Sequence, residues 1–98
     1  MNYLVEYEPE ALADLEKLRK SVCQRIVNKI NWLAENFDQI TQQPLTADLS
    51  GFFKLRVGDY RVIYEFDSDE RIIFIDRVGH RREIYNSIIY FILNYLAG

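Results

Sequence analysis

Apolar and polar residues alternate from Tyr3 to Tyr7, with Tyr3, Val5 and Tyr7 on one side, and this predicts a strand. Pro9 followed by a run rich in Ala, Leu, Glu and Lys predicts a helix that opens near Glu8, with proline in its first turn. Leu12, Leu15, Leu18 and Val22 give it an apolar stripe. Ser21 is placed to cap a second helix, in which Val22, Ile26, Ile30, Leu33 and Phe37 recur every three or four residues. Trp32 lies off that stripe. Helices joined so tightly form an αα-hairpin. From Asp38 to Ser50 the chain is polar, contains Pro44 and shows no period, so a loop is expected, tacked down by Leu45 and Leu49.

Three further strands are predicted at Phe52 to Val57, Tyr60 to Phe66 and Arg71 to Val78. Gly58-Asp59 makes a two-residue hairpin turn between the first two, and Asp67 to Glu70 a four-residue turn between the last two. The tail SIIYFILNYLAG puts Ile88, Phe91, Ile92 and Tyr95 on one helical stripe, with Ile89, Leu93 and Leu96 beyond it. That is more apolar surface than one packing face needs. The expected architecture is α+β: an N-terminal strand, a two-helix hairpin, a three-stranded antiparallel meander and a C-terminal helix. The helices lie on one face of a small sheet, in one domain spanning residues 1–98.

Composition narrows the classes. The 98 residues suffice for a core without disulfides or metal, and 49% hydrophobic with 28% charged content is ordinary for a globular chain. One cysteine, Cys23, excludes an internal disulfide and fits a reducing cytosol. Cys23 beside Val22 reads as a small core residue. One cysteine and one histidine are too few for the usual zinc or iron ligand sets, and no cofactor is expected. The N-terminus is acidic without an apolar run, so no signal peptide is expected, and Ser87 to Ala97 falls short of the ~20 residues that span a bilayer.

A net charge of −3 argues against indiscriminate nucleic-acid binding. The charge is uneven, however. Residues 1–50 carry 5 basic and 8 acidic side chains, whereas residues 51–98 carry 7 of each. Gly51 to Tyr85 holds most of the arginines, Lys54, the only histidine and Tyr85. With Val57 and Tyr60 flanking the turn, Arg56 lies opposite Arg61 and Lys54 opposite Ile63. Phe53, Leu55, Val57, Tyr60, Val62 and Tyr64 then face the helices, while Lys54, Arg56 and Arg61 share the other face. Like charges opposite one another destabilise a strand pair by some tenths of a kcal/mol. The third strand, paired across its four-residue turn, would set Asp76 opposite Arg61. Two readings follow: an ion-pair lattice in which Asp76, Glu65 and Asp59 neutralise the cations, or a phosphate site.

The segments GFFKLRVGDYRVIYEF and RVGHRREIY, in this order of elements, resemble the RelE/ParE superfamily of bacterial and archaeal toxins, most closely its RelE branch. The resemblance implies a microbial RNase-like α+β fold and a cytoplasmic toxin of a type II toxin–antitoxin pair. RelE-like toxins are ribosome-dependent, metal-independent endoribonucleases that cut mRNA in the A site. ParE-like toxins instead inhibit DNA gyrase, and a homologue that has lost toxicity would keep antitoxin binding alone. The implied partners are a RelB-like, DNA-binding antitoxin, the ribosome and mRNA. The implied assembly is a homodimer or a toxin–antitoxin heterotetramer, with no membrane. Lys54, Arg56, Arg61, Arg81 and Tyr85 match the family's basic and catalytic positions. Two departures stand out: Phe52 occupies a position often held by a second lysine, and the pI is near 5.1.

Metal-free RNA cleavage needs a base on the 2′-OH, cations on the phosphorane and an acid on the 5′-oxygen. It leaves a 2′,3′-cyclic phosphate and a 5′-OH. A tyrosine serves as base only where cations lower its pKa from about 10. The resemblance assigns catalytic roles to Tyr85, Arg61, Arg81 and Lys54, with Arg61 and Arg81 on the transition-state charge. Phosphate or RNA contacts fall to Lys54, Arg56, Arg61, Arg82 and His80. Histidine is a residue type suited to acid–base work, yet a lone loop histidine such as His80 is more often a surface hydrogen bonder. The tail residues Ile88, Phe91, Ile92 and Tyr95 either cover the core or form the antitoxin or self-association surface.

Overall fold

Alternation in strand β1 (Leu4–Tyr7) tucks Val5 and Tyr7 against the core and leaves Leu4 and Glu6 exposed. This strand belongs to a computed structural model that describes residues 2–46, 50–86 and 94. The expected C-terminal helix begins as helical backbone at 84–86, and its remainder lies outside the described residues. Helix α1 (Pro9–Glu16) opens after an extended Glu8, with proline at its start as expected. It is shorter than its stripe implied. The Lys17 and Leu18 N–H groups donate to the Asp14 and Leu15 carbonyls, tightening the last turn and ending the helix. Its core contribution is therefore Ala11 and Leu15, while Leu12 is 48% exposed and Leu18 packs at the margin.

Helix α2 (Lys20–Asn36) is capped by the backbone at Arg19, whose carbonyl accepts from Cys23; Ser21 sits inside the first turn and makes no cap. The stripe holds. Ile26, Ile30 and Leu33 are buried, as is Phe37 at the start of a 3₁₀ turn (Phe37–Gln39), with Val22 and Cys23 packed at the edge. The segment expected as loop contains a two-residue strand, β2 (Gln43–Pro44), paired antiparallel to β3 (Phe53–Val57). Pro44 is tolerated there because β2 is an edge strand. Strands β4 (Tyr60–Asp67) and β5 (Ile72–His80) complete the sheet in the order β1-β5-β4-β3-β2, with β1 parallel to β5.

The helices cover one face. Leu55, Val57, Val62, Tyr64, Ile73, Ile75 and Val78 pack against Ala11, Leu15, Ile26, Ile30 and Leu33. Phe37 adds an aromatic cluster, its ring 4.2 Å from Tyr3 and 4.8 Å from Phe66. The β3–β4 register is the expected one: Arg56 pairs with Arg61 and Lys54 with Ile63.

The β4–β5 register is not. The turn closes one residue later on each strand, pairing Asp67 with Ile72, so the register shifts by two, and Arg71 adopts φ 56 to complete it. Arg71 is held there by Asp38, 2.7 Å from its Nη2, and by the face of the Tyr3 ring. A β-bulge then inserts one more residue: Tyr64 pairs with Ile75 and Ile63 with Arg77, so Asp76 has no cross-strand partner. Arg61 therefore faces Gly79 and not Asp76, and the expected Asp76–Arg61 pairing is corrected. A shift of two preserves facing; the bulge reverses it. Val78 thereby returns to the helix-side core.

Asp14 of α1 fixes this bulge. Its Oδ2 accepts from Arg77 Nε at 2.7 Å and from the Val78 N–H at 2.9 Å, and its Oδ1 from Arg77 Nη2 at 3.1 Å. The side chains are 19% and 10% exposed for Arg77 and Asp14. The carboxylate beside it holds the Arg77 guanidinium above its ordinary pKa. Removing one partner of a buried pair costs about 3–5 kcal/mol, since the other charge is left without compensation. Asp14→Ala should therefore lose about that much in urea titration; a loss below about 1 kcal/mol would deny the clamp this role.

Asp76 is only 3% exposed, and its neighbours are carboxylates: Glu65, with which it shares a hydrogen bond, and Glu8 and Glu10. Burial first, then these acids, push its carboxyl up to about 9 from 3.8. The native state thus keeps a proton that the unfolded chain has released. Stability must fall as pH rises between those two values, by at most about 1.4 kcal/mol per pH unit. Asp76→Asn keeps the shape and the hydrogen-bond donor but cannot ionise. It should melt higher than the parent, with a gap that widens from pH 5 to pH 8; a pH-independent gap would contradict the assignment.

Candidate active site

The face of the sheet away from the helices carries a second, smaller apolar cluster. Leu45, Phe52, Ile63 and Ile84 are buried together, and Tyr85 packs against them. Phe52, where the resemblance leads one to look for a lysine, is a core residue here at 4% exposure. Its carbonyl also accepts from the Leu45 N–H at 2.8 Å, drawing the 43–45 segment onto this face. Gly79 is the seat for Ile84. A β-carbon added at Gly79 would lie 3.0 Å from Ile84 Cδ1, so the absent side chain lets Ile84 reach the sheet. Tyr85 follows directly and is half-buried beside the cluster.

Lys54, Arg56 and Arg61 alternate onto this same face, around Ile63. Four of the expected site residues, Lys54, Arg56, Arg61 and Tyr85, are thus carried on one side of the sheet. Among the described residues none of the three cations makes a salt bridge. The lattice reading loses its main member, since Asp76 turns toward Glu65. Arg61 is instead oriented by backbone: its Nη1 donates to the carbonyls of Gly58 and Tyr60, each at 2.8 Å. Neutral carbonyls hold the guanidinium without cancelling its charge.

The Gly58-Asp59 turn organises Arg81 as well. The Arg81 N–H donates to the Asp59 carbonyl at 2.7 Å, and its Nε lies 3.5 Å from Asp59 Oδ1. Both side chains are largely exposed, at 49% and 68%, so this contact is weak and easily exchanged for another anion. Arg61 of β4 and Arg81, just after β5, therefore both contact the Gly58-Asp59 turn. Sequence reasoning missed a third arginine there. Arg25 of α2 reaches over the hairpin end, with Nη2 3.4 Å from where a Gly58 β-carbon would stand. Only the absence of a side chain at position 58 could have hinted at it.

His80 is placed apart from this group. It pairs with Tyr60, which faces the helices, and their rings meet edge-on at 5.5 Å. It lines a cavity of about 400 Å³ with Asp14, Lys17 and Glu83, on the helix side. His80 Nδ1 accepts from the Arg82 N–H at 3.2 Å, and the Arg82 side chain is exposed in the turn that follows β5. The expected partner residues Ile88, Phe91, Ile92 and Tyr95 lie outside the described residues.

An α+β sheet with one face packed by a helical hairpin and the other set with lysine and arginine defines a small toxin-type domain, and comparison bears this out. Residues 5–85 match the family model for the ParE toxin of type II toxin–antitoxin systems. The chain is 32% identical over 85 residues to Toxin RelG of Mycobacterium tuberculosis, covering 87% of this chain and 98% of RelG. Its fold is similar to that in the RelBE2 toxin–antitoxin complex of the same organism, with TM-score 0.73 and 30% identity over 82% of this chain and 99% of that one. The archaeal RelE–RelB complex of Pyrococcus horikoshii gives TM-score 0.66 at 25% identity, covering 85% and 99%. The chain belongs to the RelE/ParE toxin family of type II toxin–antitoxin systems.

If the uncompensated cations serve anion binding and not the fold, Arg61→Ala should leave melting within a few degrees of the parent, because it removes an Arg–Arg opposition along with two hydrogen bonds to carbonyls. Growth arrest on expression should disappear. A drop of more than about 10 °C, equivalent to roughly 2 kcal/mol in a domain this size, would return Arg61 to a structural role.

Proposed function

We propose that this toxin is an endoribonuclease that cleaves mRNA in the ribosomal A site without a metal ion, leaving a 2′,3′-cyclic phosphate and a 5′-OH. The observation that supports it best is the grouping of Lys54, Arg56, Arg61 and Tyr85 on one sheet face, with Arg61 held by carbonyls and not by a carboxylate. In this reading Tyr85 takes the 2′-OH proton. Lys54 and Arg56 hold the phosphate, and Arg61 and Arg81 stabilise charge that develops on the phosphorane. Arg81 releases the exposed Asp59 carboxylate and turns to the leaving 5′-oxygen, stabilising it while water supplies the proton that completes the 5′-OH. Arg82 contacts RNA from the adjoining turn. His80, on the helix side, contributes only to RNA that passes the sheet edge.

Cleavage of this kind requires the 2′-OH in line with the scissile phosphate. A small acidic domain offers little surface to impose that geometry alone, so the ribosome supplies it. A RelB-like, DNA-binding antitoxin is the proposed partner, by likeness to the RelBE complexes, and the ribosome places the action in the cytoplasm. One observation favours a second reading: the matching family model is that of ParE toxins, for which gyrase inhibition is the alternative.

Programmed ribosomes separate the two. Cleavage in the A site should proceed in EDTA once ribosome integrity is controlled, with little cleavage of naked RNA. Tyr85→Phe removes only the hydroxyl and should slow the chemical step by about 10²-fold or more while ribosome binding stays unchanged. Intact mRNA together with inhibited supercoiling by gyrase would replace this reading by the second; full activity of Tyr85→Phe would remove Tyr85 as the base.

A further inference from the structure

Helix α2 and the short β2–β3 edge enclose a groove of about 320 Å³, whose lining includes Lys29, Trp32, Gln42, Gln43, Lys54 and Arg56. Three cations line it and no carboxylate does, although the chain as a whole has net charge −3. The second large cavity, beside His80, holds Asp14 and Glu83 as well as Lys17 and Arg77, so the bias belongs to this groove alone of the two. Trp32 is 39% exposed at its wall, with the Lys29 ammonium 3.8 Å above the ring. The indole lies off the core stripe and is left partly in solvent at the groove wall. The floor is fixed: Gln42 Nε2 donates to the carbonyls of Phe37 and Ile40 at 2.9 and 3.1 Å.

The groove is continuous with the basic face. Lys54 and Arg56 border both, because β3 is flanked by only two residues of β2. At the far end Arg25, one turn before Lys29 on α2, lies over Gly58, whose carbonyl holds Arg61. Cations thus run from the hairpin end along α2 to the groove, with one indole beside them. A line of positive charge with an aromatic platform is the chemistry that binds single-stranded nucleic acid, with phosphates on the cations and a base on the ring.

We propose that this groove is a binding site for single-stranded RNA flanking the cleavage point, with a base against Trp32 and phosphates on Lys29 and Arg25. It rests on the reading of the adjoining sheet face as an RNA-cleaving site and extends that site by a second contact region. Such contacts would let an acidic chain hold RNA by local charge, and they make its binding depend on salt.

Trp32 is the sole tryptophan, so its fluorescence reports this groove and nothing else. The probe is an end-labelled oligouridylate of about eight nucleotides at low salt, a length within the usual range for such sites. Its anisotropy reports binding anywhere on the protein. The expected result is quenching of Trp32 with the same midpoint as the anisotropy change. Trp32→Ala should weaken binding about fivefold or more. Lys29→Gln should lower the slope of log affinity against log salt by about 0.7, with melting unchanged. Anisotropy that rises without quenching, and that Arg61→Ala abolishes, would overturn the groove while leaving the sheet-face site standing. No change in either signal would overturn the groove, while the sheet-face reading is decided by the programmed-ribosome assay. Quenching by a polyglutamate peptide but not by the RNA would give the groove to an acidic protein partner and overturn the proposal.

Discussion

The register of β5 depends on one carboxylate. Asp14 takes three hydrogen bonds from Arg77 and Val78, immediately after the bulged Asp76, and so ties the first helix to the one place where the sheet changes step. Without the extra residue Val78 would leave the core and Gly79 would not stand opposite Arg61. Ile84 would then find a side chain where it now finds space, and Tyr85 would not be carried onto the cationic face. A helix–strand ion pair therefore sets where the site's last residue stands. The bulge has a cost beside it: Asp76 is buried among Glu65, Glu8 and Glu10.

The sheet separates two kinds of work. Its helix side is closed by a continuous apolar core, which stabilises the fold through burial. The other side has a smaller apolar patch ringed by Lys54, Arg56, Arg61 and Tyr85. A direct Arg–Arg opposition across strands is unfavourable in the isolated protein. The fold tolerates it because backbone carbonyls orient Arg61. Under the proposed function, an incoming phosphate would relieve that repulsion.

This arrangement also reconciles an acidic chain with family membership. Bulk charge is negative, yet several acids are engaged with other partners: Asp14 and Asp38 by Arg77 and Arg71, Asp59 by Arg81, and Glu8, Glu10 and Glu65 around Asp76. Of the cations without a salt bridge among the described residues, Lys54, Arg56 and Arg61 lie on the sheet face, Arg25 at the hairpin end and Lys29 along the α2 groove. Phe52 replaces a charge by a core side chain, so Lys54 and Arg56 are left as the cations of β3 on the site face.

By itself the sequence determined the elements whose periodicity is long or whose turns are tight. The stripe from Val22 to Phe37 gave α2, and Gly58-Asp59 gave the β3–β4 register residue for residue, because a two-residue turn leaves the pairing no freedom. From that register the grouping of Lys54, Arg56 and Arg61 followed. The motifs in Gly51 to Tyr85 also carried the family. What it could not determine were the features set by contacts between distant residues. The β4–β5 turn slipped by two because Arg71 could take a left-handed backbone held by Asp38, 33 positions away. The bulge at Asp76 was stabilised by Asp14, 63 positions from Arg77. Those two shifts sent Asp76 to a carboxylate neighbourhood, His80 to the helix side and Tyr85 to the cationic face. A strand reads the same with or without an inserted residue; only packing against the helix decides which face its later side chains meet.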